Sequence, residues 1–316
     1  VAPGTGDDTA VRFAVNSTAR FASEFGKDEE KVFVESQLIK ALQTQSDKDV
    51  KTFLLNQLNL VGGEKTITVA KAYLTDEYLV EPATQTLLSI GGKPAAIAIL
   101  DAFPNSSEKS KQTLIKALGE LQCVGAVQQI TPFVNDKNAA TSKVALAALA
   151  NIGDPGSYKT LSGAAKNANY AYEPTNATEA FLNYADVLGA KNETELCKKA
   201  CNEIIKANQA QDKLHNYSKV LSVYSKYFGV EVLPLLLKAV DNTDKPLRYS
   251  VLNLAEKTGD ISATRQWIAK AKTSSYEIKA EIIDMLGRRG DGLAVDFVNE
   301  NINSASETVR AEAINA

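Results

Sequence analysis

The sequence predicts an all-α solenoid, and three observations carry that reading. An apolar segment ending at or near glycine recurs about every 31 residues. Within each copy the apolar residues fall at helical spacing. No stretch shows sustained period-two alternation with β-branched or aromatic enrichment, so no sheet is expected.

The copies can be placed in order. A divergent first copy closes near Phe25-Gly26. The next four end their helical runs at Val61, Ile90, Leu121 and Ile152, in steps of 29, 31 and 31 residues. After a gap, Phe228, Thr258 and Arg289 resume the pattern with steps of 30 and 31. Inside the copies Leu114, Leu118 and Leu121 fall at i, i+4, i+7, and Leu146, Leu149 and Ile152 at i, i+3, i+6, one face of a helix each. Glycine then lets the chain enter a left-handed conformation. Asp154, Asp260 and Asp291 follow directly, placed to cap a second helix. That second helix is short and apolar, as at residues 95–100, 232–237 and 295–298, and polar turns such as Thr75-Asp76 and Asp241-Asn242 close the unit.

A hairpin of this kind buries its apolar face only against its neighbours, so one solenoid over residues 1–316 is expected, with an irregular break at about 160–215. In the break the period fails. Residues 167–178 form a longer loop with Pro174, and Asn176 with Glu179 resembles a capping box opening a helix over 177–188. Longer helices follow over 194–207 and 212–228. Seven of the eleven tyrosines lie at 158–227. Residues 1–8 read as a loop entering the first helix. Residues 306–316 read as the first helix of a further repeat that leaves Val309 and Ile314 uncovered, so the expectation is a piece of a longer chain.

Net charge is −3, which gives no global reason to bind nucleic acid or an anionic membrane. No run of 18 apolar residues exists, so no membrane span is expected. Cys197 and Cys201 share a helix face but disfavour a bridge, and with Cys123 they read as small buried residues. His215 is the single histidine, with no second His or Cys beside it, and no nucleophile, phosphate-loop or zinc-helix motif occurs. No catalytic residue, metal site or cofactor is therefore expected. A phosphate-binding stripe through Lys48, Lys51, Arg248 and Arg310 is disfavoured by the acids interspersed among them; such residues can instead bond between repeats. Five N-x-S/T strings, at Asn16, Asn105, Asn176, Asn192 and Asn216, carry no assignment.

A helix ending ALxxLGxxGD, a short AxxxL helix and a following D-x-x-x-VR resemble the HEAT repeat, and among its forms the short one shared with phycobilisome-lyase-like repeats. Residues 145–157 and 282–298 match best. A tighter likeness rests on residues 3–15, 149–157 and 170–178. It is to HEAT regions preceding a 3-keto-disaccharide hydrolase domain in envelope proteins of Gram-negative gut-type bacteria. That resemblance implies a periplasmic or envelope location, a catalytic domain beyond Ala316, and no catalytic residue within this chain.

The function expected is a non-enzymatic, monomeric scaffold for a protein or glycan partner, its second helices lining the binding surface. The alternative is an accessory module of a carbohydrate-processing enzyme. Tyr170, Tyr172 and Tyr184 are the aromatic candidates for contact, since a Tyr ring joins a flat apolar face to a polar handle. Gln128, Gln129 and Lys159 are the second-helix candidates. A DNA-glycosylase-type reading would need a basic concave face, and a bilin-lyase-type reading a chromophore partner.

Overall fold

The computed structural model describes residues 6–208 and 213–316. Part of the opening loop expected over residues 1–8, and Asp212 at the start of the helix expected over 212–228, lie outside the described residues. The helices are α1 Thr9–Ala22, α2 Asp28–Thr44, α3 Lys48–Val61, α4 Glu64–Lys71, α5 Val80–Ile90, α6 Gly92–Ala102, α7 Glu108–Glu120, α8 Val127–Ile130, α9 Ala139–Ile152 and α10 Tyr158–Asn167. After the loop come α11 Ala177–Ala190, α12 Thr194–Ala207, α13 Leu214–Phe228, α14 Leu233–Ala239, α15 Lys245–Lys257, α16 Ile261–Thr273, α17 Tyr276–Arg289, α18 Val295–Asn301 and α19 Glu307–Asn315. No strand occurs among the described residues. The fold is an all-α solenoid of helical hairpins.

The chain forms two compact units. The first runs to Ala164 and includes Glu173–Ala180; the second holds Ala165–Tyr172 and Phe181–Ala316. In the first unit the odd-numbered helices α1, α3, α5, α7 and α9 pack in sequence as one layer, and α2, α4 and α6 pack as the other. In the second unit α13, α15, α17 and α19 form the first-helix layer, with α14 against α16. Long-range hydrogen bonds measure the period directly. Thr86 donates to the Leu55 carbonyl 31 residues back, and Thr66 to Glu35 at the same separation.

Local chemistry repeats with the architecture. Ser107 and Asn138 cap first helices 31 residues apart, and Asp244, Ser275 and Ser306 do so at the same step. Each accepts a hydrogen bond from an N–H of the first turn. Gly153 and Gly290 end α9 and α17 at φ 61° and 67°, a left-handed conformation that needs no Cβ. Asp260 and Asp291 then cap the next segment through Ser262 N and Leu293 N.

Two local expectations are corrected. Val309 is buried, because α19 packs onto α17, whereas Ile314 is exposed. Asn176 sits at φ 53°, and the start of α11 is held by Glu173, whose carboxylate accepts from Ala177 N, Thr175 N and the Thr175 hydroxyl. Burial pushes the Glu173 carboxyl up, but those three hydrogen bonds outweigh it and hold it below its ordinary value.

Candidate functional site

The second helices of the first unit alternate between a buried and an exposed column. Ala70, Ile99, Ile130 and Leu161 follow one another in steps of 29, 31 and 31 residues, and all four are fully buried. Thr68, Ile97, Gln128 and Lys159 follow the same steps on α4, α6, α8 and α10, and all four are exposed. One turn earlier, on the same side, Glu64, Lys93, Val124 and Pro155 make a second exposed column. The helical period sets this geometry: the exposed residue lies two positions before the buried one, on the opposite side of the helix. Packed layers are spaced about 8–10 Å, so four layers present a surface roughly 30 Å long.

The surface is chemically mixed. Ile97 and Val124 are exposed large apolar residues on neighbouring layers. Lys71 and Asp101 make a 2.6 Å ion pair across one edge, which fixes those side chains in an otherwise open face. Gln128 adds an amide that both donates and accepts, and Lys159 a cation. Such a face suits an extended peptide-like partner, which needs apolar anchors and polar groups at regular spacing.

The sequence-derived candidates separate on burial. Gln128 and Lys159 stand in the exposed column. Gln129 is half-buried, with its Oε1 buried and unbonded among the described residues, so it faces the packing rather than the surface. Tyr184 is 0% exposed and stacks on Phe181 with ring centroids 6.4 Å apart, so its ring is core. Tyr170 is 7% exposed; its hydroxyl donates to Glu203 at 2.7 Å and its carbonyl accepts from Asn216 at 3.1 Å. Tyr172 alone of the three presents its ring, at 92% exposure. Tyr158, Tyr217 and Tyr224 are buried as well, so the tyrosine enrichment chiefly fills space where the period fails. Thr68, Ile97 and Val124 were missed in the sequence, although the 29, 31 and 31 steps point to them.

Among the described residues no chemistry-bearing cluster competes with this face. Cys197 and Cys201 are buried free thiols; hydrogen bonding to Cys197 and burial push the Cys201 thiol far up, away from nucleophilic use. His215 lies exposed on α13. Among the described residues no group of three or more His, Cys, Asp or Glu side chains is placed to hold a metal ion. Arg248, considered for a phosphate stripe, is 3% exposed and paired with Glu281 and Glu277. The stretch Leu214–Ala239 has the length and apolar composition to cross a membrane. It carries Lys219, Lys226 and Glu231 and buries Leu214, Val220, Leu221 and Leu236, the pattern of a packed core segment.

Residues 94–181 match the HEAT-repeat family model, a span that contains Ile97, Val124, Gln128 and Lys159. No curated protein matches the chain. Solved structures are similar to it, among them the following three. Human deoxyhypusine hydroxylase in complex with glycerol is 18% identical, with 80% of this chain and 94% of that one covered and a TM-score of 0.34. An engineered protein is 18% identical, with 99% and 95% covered and a TM-score of 0.42. A homology model of the full-length AP-3 complex in an intermediate open conformation is 14% identical, with 96% and 59% covered and a TM-score of 0.49.

Proposed function

We propose that this HEAT-like repeat protein is a non-enzymatic scaffold that holds an extended protein segment along the second helices of its first unit. The observation that carries the reading is the exposed column Thr68, Ile97, Gln128 and Lys159, set one residue per layer above a fully buried column. A partner of about nine extended residues would match four layers, at roughly 3.3 Å per residue. Ile97 and Val124 would seat apolar side chains, Gln128 would bond the partner's backbone, and Lys159 would pair with a carboxylate.

Peptides selected for binding to the whole chain test this. Ile97→Glu with Lys159→Glu is expected to weaken selected binders by at least roughly tenfold, equivalent to about 1.4 kcal/mol. Lys116→Glu, on the exposed side of α7, should leave them unchanged. Binders indifferent to the first pair would overturn the proposal.

A glycan partner, with the chain serving as the accessory module of a 3-keto-disaccharide hydrolase, is the second reading. The open ring of Tyr172 favours it, since an exposed aromatic can stack on a sugar face. Disaccharide titration monitored by Tyr172 resonances, with Tyr172→Ala as control, separates it from peptide binding.

A further inference from the structure

Few side chains on the second-helix face of the first unit carry charge, and their signs do not balance. On α4, α6, α8 and the part of α10 up to Ala164, the exposed charged residues are Glu64, Lys65, Lys71, Lys93, Asp101 and Lys159. Lys71 is neutralised by Asp101 at 2.6 Å, and Lys65 stands next to Glu64 in the chain. Lys93 and Lys159 are left, and neither enters an ion pair among the described residues. Asp154, in the turn before α10, is half-buried and has a partner within the fold. The whole chain holds 38 acidic against 35 basic side chains, so two unopposed lysines on one face run against its composition.

Apolar side chains occupy the space between these lysines. Lys93 lies one turn before Ile97 on α6, Val124 leads into α8, and Lys159 is on α10. Ile97 is 45% exposed and Val124 56%, and residues 124–130 include no charged side chain. Two layers separate α6 from α10, about 16–20 Å at the packing distance of helices. Five or six steps of an extended chain cover that span, at roughly 3.3 Å each.

We infer, on the reading of this face as a peptide site, that the partner is an acidic extended protein segment. It carries two carboxylates five or six positions apart, with apolar side chains between them. One carboxylate meets Lys93 and the other Lys159, while the residues between cover Ile97 and Val124. The apolar contact supplies adhesion. The two cations set the register and reject basic segments, since like charges would meet at both ends. Nucleic acid is a poorer match: each strand of a duplex carries a charge about every 3.4 Å, whereas these cations stand about 16–20 Å apart with uncharged residues between them.

Peptides selected from a random nonapeptide library on the whole chain are the probes. Pairs of Asp or Glu five or six positions apart should be enriched among the binders. Replacing both acids of a selected peptide by Asn or Gln should weaken it about fivefold by fluorescence anisotropy, the contribution of two solvent-exposed ion pairs. Lys93→Glu with Lys159→Glu should invert the order, so that the same peptide with Lys at both positions binds better than the acidic one. Circular dichroism checks that this variant keeps its helices. Binders that lack the acidic pairs, or ignore both exchanges, yet are lost on Ile97→Glu would overturn the inference and leave the peptide site standing. An absence of binders, or binders indifferent to Ile97→Glu, would remove the peptide site and the inference with it. A single-stranded DNA nonamer that binds as tightly as the acidic peptide would assign the lysines to phosphate and overturn the inference as well.

Discussion

The joint between α7 and α9 and the joint between α15 and α17 do the same job with different physics. In the first, backbone meets backbone. A Cβ on Gly119 would lie 2.6 Å from the Ala148 Cα, and Leu114, Leu118, Ala145 and Leu149 close the rest of the seam. Its lateral hydrogen bond is neutral, from Gln112 to Thr141 at 2.8 Å. In the second, the place equivalent to Gly119 holds Glu256, which reaches Arg288 at 3.0 Å. Arg248 grips Glu281 through two bonds of 2.7 Å while donating to the Asn242 and Thr243 carbonyls of its own turn. Arg289 gathers the Ala255, Thr258, Gly259 and Asp260 carbonyls at the end of α15. One seam is fixed by shape, the other by charge delivered to the negative end of a helix. The lesson is that a repeat fold specifies where neighbours meet and leaves open which force holds them.

The largest expected effect follows from cutting the charged grip. Arg248→Ala removes the buried cation that holds Glu281 and that shares Glu277 with Lys245, and leaves the partly exposed Glu281 unpaired. Breaking such a pair costs about 3–5 kcal/mol when both partners are buried; Glu281 is partly exposed and can be hydrated, so this case falls below that range. Because repeat arrays open locally, the readout is hydrogen exchange by mass spectrometry. Protection should fall in α15 and α17 and stay unchanged in α7 and α9. A uniform loss across both seams would mean that charge does not act locally here.

Gly119→Ala probes the other seam, and two effects oppose each other. Alanine favours a helix interior over glycine by about 1 kcal/mol. Overpacking costs about 1–3 kcal/mol, and here the clash is with the Ala148 Cα, which cannot rotate away as a side chain would. The clash should win, with a net loss of about 1 kcal/mol confined to α7 and α9. Gly287 repeats the arrangement against Ala316, so Gly287→Ala should loosen α17 and α19 in the same way. A gain in protection at either site would show that the helices can part without cost.

Much of this was legible beforehand, and the boundary of legibility is physical. The period, the glycine stops and the caps at Asp260 and Asp291 depend on residues near in sequence, so spacing alone reveals them. Arg248 bonds to the next repeat through Glu277 and Glu281 as its place in the unit suggested, whereas Arg310 donates to the Ser304 and Ala305 carbonyls of its own turn, which the spacing did not reveal. The break was different. That Tyr170 adopts φ 52° with its hydroxyl on Glu203 depends on a residue 33 positions away, and no periodicity announces it. Tyr184 read as a surface candidate because tyrosine suits both core and surface, and only packing decides between them. The exposed column was half-read: Gln128 and Lys159 were chosen for exposure, while Ile97, their equivalent one layer earlier, looked like core by composition.

The smallest effect separates the two seams by pH. Hydrogen bonding to Lys245, then the charges of Lys245 and Arg248, hold the Glu277 carboxyl below its ordinary value. The Thr264 hydroxyl and the Leu293 N–H do the same for Asp291. A carboxylate depressed by folding contributes stability above its unfolded value, about 4, and loses it as pH falls through the lower folded value. Both groups are exposed and screened by solvent, so each contribution is small. Hydrogen exchange, corrected for its intrinsic pH dependence, should show α15–α17 unchanged from neutral pH to about 5 and loosening below about 4. The α7–α9 seam, bonded through Gln112 and Thr141, has no carboxylate to lose and should hold through the same range. If both seams loosened together on acidification, the division between a seam of shape and a seam of charge would be wrong.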